Sequence, residues 1–219
     1  MTGTVAIMQP YFVPYAGYFR LYAASDLFVV YDCVQFPRRG WVHRNRLVDR
    51  TGALRWLTLP LAKAPRDILI RDLRFTSDAD AVVAERLRRF ELATADQDAR
   101  GVIDTVRRIE GTPADYILRT LDCITSYLRL PRETIRSSAL DIAPSVRGQD
   151  RILEIVRRVG AKRYINAPGG HSLYDPEAFD RAGIRLEFLP EYAGPSVSIL
   201  SRIVAESGDD LAREIRASI

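Results

Sequence analysis

Two short apolar runs, Thr4 to Met8 and Leu27 to Tyr31, are separated by a stretch with room for one loop and one helix. Each run has the length of a strand, and strands joined through a helix lie parallel. The chain therefore opens with a βαβ unit, which commits it to an α/β fold built on a mostly parallel, Rossmann-like sheet. Thr134 to Leu140, Lys162 to Asn166 and Ile184 to Leu189 read as later strands. Asp150 to Val159, closed by Gly160, and Pro176 to Ala182 read as the helices between them. The terminal stretch from Val197 to Ile215 is helical in period.

The middle of the chain breaks this alternation. Ser77 to Arg89, Val102 to Ile109 and Pro113 to Leu130 all carry helical periodicity, and Thr112-Pro113 is a cap followed by a first-turn proline. This predicts an inserted helical lobe at approximately residues 77–130 within a single domain spanning 1–219. Leu54 to Leu61 and Ile68 to Phe75 read as extended runs forming a hairpin or edge strands, whereas Gln35 to Arg46 is too irregular for a core strand and reads as a long loop.

Composition narrows the classes of function. With 47% hydrophobic and 27% charged residues the chain can bury a core, which excludes disorder. Its apolar runs are far shorter than the roughly 20 residues that span a bilayer. Gln9, Pro10 and Pro14 interrupt the first apolar stretch before it reaches signal-peptide length, so the default location is the cytoplasm. The balance of 32 basic against 28 acidic residues gives +4. Lys63 and Lys162 are the only lysines, so the basic residues are almost all arginines. They are interleaved with acids, as in Glu85-Arg86-Leu87-Arg88-Arg89-Phe90-Glu91, which reads as a solvated helix face and argues against nucleic acid as a partner. Two cysteines and two histidines, each pair far apart, form no metal-ligand pattern.

Three segments can carry chemistry. The first is the loop after the opening strand, where open α/β sheets bind ligands. Gln9 brings an amide that bonds in two directions, and Tyr11, Tyr15 and Tyr18 bring flat walls and phenols, although such aromatics also serve as core. The second is Tyr31 to Arg46. Asp32 stands at the end of the second strand, where it either orients and deprotonates an amine or caps a turn. Gln35, His43 and Asn45 can hydrogen-bond a substrate, Arg38, Arg44 and Arg46 can grip an anion bidentately, and Trp41 is a pocket wall or a core residue. The third is Asn166 to Tyr174, where Gly169-Gly170 lets backbone approach a ligand. That segment fails both the phosphate-loop and dinucleotide templates.

Met8-Gln9-Pro10-Tyr11-Phe12-Val13-Pro14-Tyr15-Ala16-Gly17-Tyr18-Phe19, Tyr31-Asp32-Cys33-Val34-Gln35-Phe36 and Gly40-Trp41-Val42-His43-Arg44-Asn45-Arg46-Leu47 resemble the WbqC-like protein family. The likeness continues through Trp56 to Leu61, Gly160 to Asn166, Gly169-Gly170 and Leu173-Tyr174. Members occur in bacterial O-antigen and other surface-polysaccharide gene clusters, and the resemblance implies a glycyl- or aminoacyltransferase acting on a sugar. Cys33 and His43 stand where the family pattern has Asp and Asn, which bears on donor or acceptor preference and argues against Cys33 as an essential acyl-accepting thiol. Tyr15-Ala16-Gly17-Tyr18 is also similar in spacing to the HxGH signature, a HIGH-nucleotidyltransferase-like start found in enzymes such as pantothenate synthetase. Neutral phenols do not supply the positive charge that histidines offer transferring phosphates.

The resemblance implies an acyl- or aminoacyltransferase. Asp32, Gln9 and Asn45 are expected as its catalytic residues. Tyr11, Tyr15, Tyr18, Gln35, Arg38, Trp41, His43, Arg44, Arg46, Asn166, Gly169, Gly170 and Tyr174 are expected to bind substrate. No metal and no tightly bound cofactor is expected. The donor would be a phosphopantetheine thioester, free or on an acyl carrier protein, or an acyl-CoA. The acceptor would be a small-molecule amine or nucleotide sugar. An ATP-dependent ligase or nucleotidyltransferase on the same fold, and a non-catalytic protein that binds a carrier-bound intermediate, are the alternatives.

Overall fold

The computed structural model describes residues 3–94 and 96–219. Strand β1 (Thr4–Met8) leads through a 3-10 turn at Ala16–Phe19 into helix α1 (Arg20–Ala24) and strand β2 (Leu27–Val30). A hairpin follows, β3 (Arg44–Val48) with β4 (Leu54–Thr58), and then helices α2 (Ala79–Leu87), α3 (Gln97–Arg107) and α4 (Pro113–Tyr127). The chain then runs through β5 (Glu133–Arg136), α5 (Gly148–Arg158), β6 (Arg163–Asn166), α6 (Pro176–Arg181) and β7 (Arg185–Phe188). Helices α7 (Ile199–Ile203) and α8 (Gly208–Ala217) end it.

The main sheet has five strands in the order β5-β2-β1-β6-β7, every neighbouring pair parallel. The strands go outward from β1 to β2 and β5, then the chain returns across the sheet to place β6 on the other side of β1. Strand order thus reverses between β1 and β6, and the two connections leaving their carboxyl ends diverge to leave a crevice.

Side-chain alternation assigns each strand residue to a layer. Val5 and Ile7 of β1, Leu27 and Val29 of β2 and Tyr164 of β6 join α5 and α6 on one face. Ala6, Phe28, Val30 and Ile165 point the other way, into a larger core shared with α1, α2, α3, α4, α7, α8 and the β3–β4 hairpin. The mid-chain helices therefore bury their apolar faces in the same core as the sheet. Helix α4 begins with a reciprocal capping box, Thr112 Oγ1 accepting from the Asp115 N–H while Asp115 accepts from the Thr112 N–H.

Some local expectations change. The end of the Gln35–Arg46 segment is strand, since Arg44–Val48 pairs antiparallel with Leu54–Thr58. Ile68–Phe75 meets Leu54–Leu61 at one antiparallel bridge, Leu61 to Phe75, and pairs no further. It contains a 3-10 turn at Ile70–Asp72 that buries Ile70 and Leu73, three residues apart. The strand expected through Leu140 ends at Arg136, where Ser137–Leu140 coils into another 3-10 turn. No helix of the described residues is long and apolar enough to cross a membrane.

Candidate functional site

A cavity of ≈ 510 Å³ lies at the carboxyl ends of β1 and β6, where the strand order reverses. One wall is the loop after β1, with Tyr11, Tyr15 and Tyr18. The Ala167–Gly169 turn after β6, Trp41, and Asn45 and Arg46 of β3 supply others. The strap after β7 closes the remaining side with Glu191, Tyr192, Gly194 and Ser196.

The aromatic loop is held in a conformation it would not adopt alone. Val13 has φ 39°, a left-handed backbone that a β-branched side chain strongly disfavours. Its carbonyl accepts from Asn45 Nδ2 at 3.0 Å and from Ser198 Oγ at 2.6 Å, while Asn45 Nδ2 also reaches the Phe12 carbonyl at 3.1 Å. The Arg46 N–H donates to Asn45 Oδ1 at 2.8 Å. Buried Asn45 thus spends its amide on shaping the cavity wall. Gly17 is needed beneath that wall, because a Cβ there would collide with the Tyr15 ring and lie 2.9 Å from Tyr192 Cδ1.

The phenols are neutral donors. Burial, the leading cause in each case, raises Tyr11, Tyr15 and, well above the ordinary phenol range, Tyr18. Tyr18 Oη donates to the Gln9 carbonyl at 2.9 Å. Burial also raises Tyr192, whose hydroxyl donates to Glu214, the carboxylate that Arg202 grips at 2.6 Å. The strap carrying Glu191 is anchored to α7 and α8 by this network.

Two charged side chains line the cavity among the described residues, Arg46 and Glu191. Neither forms an ion pair, and the Arg46 side chain makes no hydrogen bond, to any described residue; its Nε is buried without a partner. The cavity therefore presents one unpaired guanidinium and one unpaired carboxylate between aromatic walls. That combination suits a ligand bearing both an amine and an anionic group.

The residues singled out in the sequence divide clearly. Tyr11, Tyr15, Tyr18, Trp41, Asn45, Arg46 and Gly169 reach the cavity. Gln9 sits half-buried just past β1 but does not line it. Asp32 is fully buried at the end of β2, beside β5 rather than β6. Its Oδ1 accepts from Ser137 Oγ and the Ser138 N–H, both at 3.0 Å, and its Oδ2 from Ser138 Oγ at 2.8 Å. This corrects the expectation that Asp32 meets an amine, because the carboxylate is consumed in tying β2 to the turn after β5. Cys33 is buried next to it, against Ser137 and Arg151.

Arg44 braces the 39–41 loop, its Nη2 donating to the Arg39 carbonyl at 2.9 Å. Gln35 and Arg38 bond the 64–66 backbone. His43 and Arg38 line a separate groove, and burial, with Arg44 adding to it, lowers His43 to about 4. Tyr174 packs on Tyr164 and Phe179. Asn166 accepts the Ala167 N–H, and Gly170 lies against Asn166 and Phe188 with no room for a Cβ, so both shape the turn that carries Gly169. Sequence reasoning missed Glu191, Tyr192, Gly194 and Ser196. They follow the last strand, and the preference of ligands for the carboxyl ends of strands, applied to β7 as well, would have marked them.

Parallel α/β architecture with an aromatic-lined cavity at its switch point places the fold in the doubly wound class. The model of the WbqC-like protein family matches residues 9–196, and the chain belongs to that family. It is 29% identical over 228 residues to "Uncharacterized protein Rv1507c" of Mycobacterium tuberculosis, covering 94% of this chain and 96% of the relative. No solved structure matches it.

Proposed function

We propose that the protein is an acyl- or aminoacyltransferase that moves a group from a thioester to the amine of a small anionic acceptor bound in the switch-point cavity. The observation that carries this reading is one aromatic cavity lined by both Arg46 and Glu191, neither of them in an ion pair with a described residue. Arg46 holds the acceptor's phosphate or carboxylate. Glu191 draws in its ammonium and takes a proton from it, leaving a nucleophilic amine. The amine nitrogen attacks the thioester carbonyl carbon, the C–S bond breaks, and the thiolate departs to be protonated. The phenols Tyr11, Tyr15 and Tyr18 donate to oxygens of donor and acceptor and hold them side by side, which supplies the entropic part of the catalysis. The donor is a phosphopantetheine or coenzyme A thioester, and the acceptor class includes amino sugars carried on nucleotides.

An ATP-dependent ligase is favoured by one feature, the Tyr15-Ala16-Gly17-Tyr18 turn lining the cavity at the switch point. Against it, Arg46 alone supplies positive side-chain charge to that lining among the described residues, little for a triphosphate. Mass spectrometry of the protein with aminoacyl thioesters and a panel of amines and nucleotide amino sugars, with and without ATP and magnesium, separates the readings. A mass gain on the acceptor without ATP is expected. A gain only with ATP selects the ligase, and none with any folded sample leaves a binding protein.

A further inference from the structure

The chain has two tryptophans: Trp41 lines the cavity, and Trp56 packs beside it on the outward side. Trp41 is 36% exposed and Trp56 44%, with ring centroids 5.5 Å apart. Two exposed aromatic rings in contact form a contiguous apolar patch, the kind of surface that marks a binding site. The hairpin register explains how they come together. Trp56 lies directly opposite Arg46 and diagonal to Arg44, so the outer face of β3–β4 carries both arginines and the indole, while Asn45 and Leu47 point inward. Arg44 Cζ lies 4.5 Å from the Trp56 ring, and Arg46 Cζ lies 6.0 Å from Trp41 and 5.8 Å from Trp56. Each guanidinium is thus laid against an indole, and Arg46 is the one that lines the cavity.

We propose that this platform is the subsite for a nucleoside diphosphate, with the base lying on the Trp41–Trp56 pair and the diphosphate meeting Arg46. The proposal rests on the transferase reading in one respect, since it makes the acceptor a nucleotide-linked amine whose amino group reaches Glu191. The chemistry is specific to this combination. Phosphate alone would need the arginine without the indoles, and a bare sugar would need the indoles without the cation. A planar base joined to a diphosphate uses both, and Trp41 and Arg46 also line the cavity, so the bound chain is led inward. Base–aromatic stacking tolerates different bases, so the platform selects the nucleoside diphosphate class ahead of one particular base.

Because Trp41 lines the cavity and Trp56 packs against it, intrinsic fluorescence reads occupancy of the site. Titration of the full chain with uridine diphosphate, adenosine diphosphate, inorganic pyrophosphate and phosphopantetheine is the test, with calorimetry alongside for variants that lack a fluorophore. The nucleoside diphosphates are expected to quench and to bind at least about tenfold tighter than pyrophosphate or phosphopantetheine. Trp56→Ala should erase that preference and Trp56→Tyr should restore most of it, whereas Arg46→Gln should weaken every phosphate compound. Equal affinity for pyrophosphate and the nucleoside diphosphates, or no binding of either at millimolar concentration, overturns the subsite. The transferase reading fails separately. Nucleoside diphosphate binding without any acyl transfer removes the reaction and keeps the subsite, and transfer to a free amine that nucleoside diphosphates do not inhibit does the reverse.

Discussion

Replacing Glu191 by Gln removes one charge from an exposed strap side chain that forms no hydrogen bond or ion pair with a described residue. Thermal stability should stay within about 1 °C of the parent, the usual result for surface substitutions, while kcat/KM for an amine acceptor falls at least about tenfold. Enzyme assay and thermal melts on the same samples check both halves. Asp32 should behave in the opposite way. Asp32→Ala strands the Ser138 N–H, the buried Ser137 hydroxyl and the half-buried Ser138 hydroxyl, a loss of about 2 kcal/mol read from urea midpoints. Turnover per folded molecule should be retained. Which of two carboxylates lines the cavity was not legible from either residue alone. Asp32 follows an apolar strand and so shares a sheet edge with Gln9, but the neighbour that absorbs it, Ser137-Ser138, is brought alongside only by the β2–β5 pairing. Arg44 and Arg46 look identical in the sequence for a similar reason, since the brace that occupies Arg44 is a loop carbonyl.

At the scale of elements, the cavity wall depends on backbone shapes that have a cost. Gly17→Ala pushes a methyl into the Tyr15 and Tyr192 rings, so it should open the wall, weaken acceptor binding and lower stability by about 1–3 kcal/mol. A crystal structure or amide spectra of the variant would show the displacement confined to the 15–18 turn and the strap. The strands and most helices were readable because their periods are plain: β1 and β2 are apolar runs, and α4 announces itself with Thr112-Pro113. The 3-10 turns at Ile70–Asp72 and Ser137–Leu140 were not, because a spacing of three apolar positions over so short a stretch overlaps the alternation of a strand. The hairpin partner of Leu54–Thr58 was hidden too. Arg44-Asn45-Arg46 carries no apolar alternation, yet it forms a strand whose inward amide is used to secure Val13.

On the scale of the molecule, acid should destabilise the protein in two steps. Burial lowers His43 from 6.5 to about 4, so the unfolded chain binds the extra proton first, and stability falls as pH drops from about 6.5 towards 4. Asp49 and Asp115 are lowered to about 2, chiefly by the side-chain hydrogen bonds of Thr51 and Thr112, so their contribution is lost below the ordinary carboxylate range, from about 4 towards 2. Urea midpoints from pH 7 to pH 3 should show the first step, and His43→Asn should flatten it. The parallel sheet and its doubly wound character follow from the strand and helix alternation, but the assembly of the cavity does not. Tyr11 and Glu191 stand at opposite ends of the sequence, and only the reversal of strand order brings the loops beyond β1, β6 and β7 around one space. The account stands most directly on one comparison: acceptor mass gain from an aminoacyl thioester, measured without ATP for the parent, Glu191→Gln and Asp32→Ala proteins at equal folded concentration. Transfer by the parent and by Asp32→Ala, with loss in Glu191→Gln, is the predicted result. Full transfer by Glu191→Gln, or its loss in folded Asp32→Ala, would place the chemistry at the other end of the sheet and contradict it.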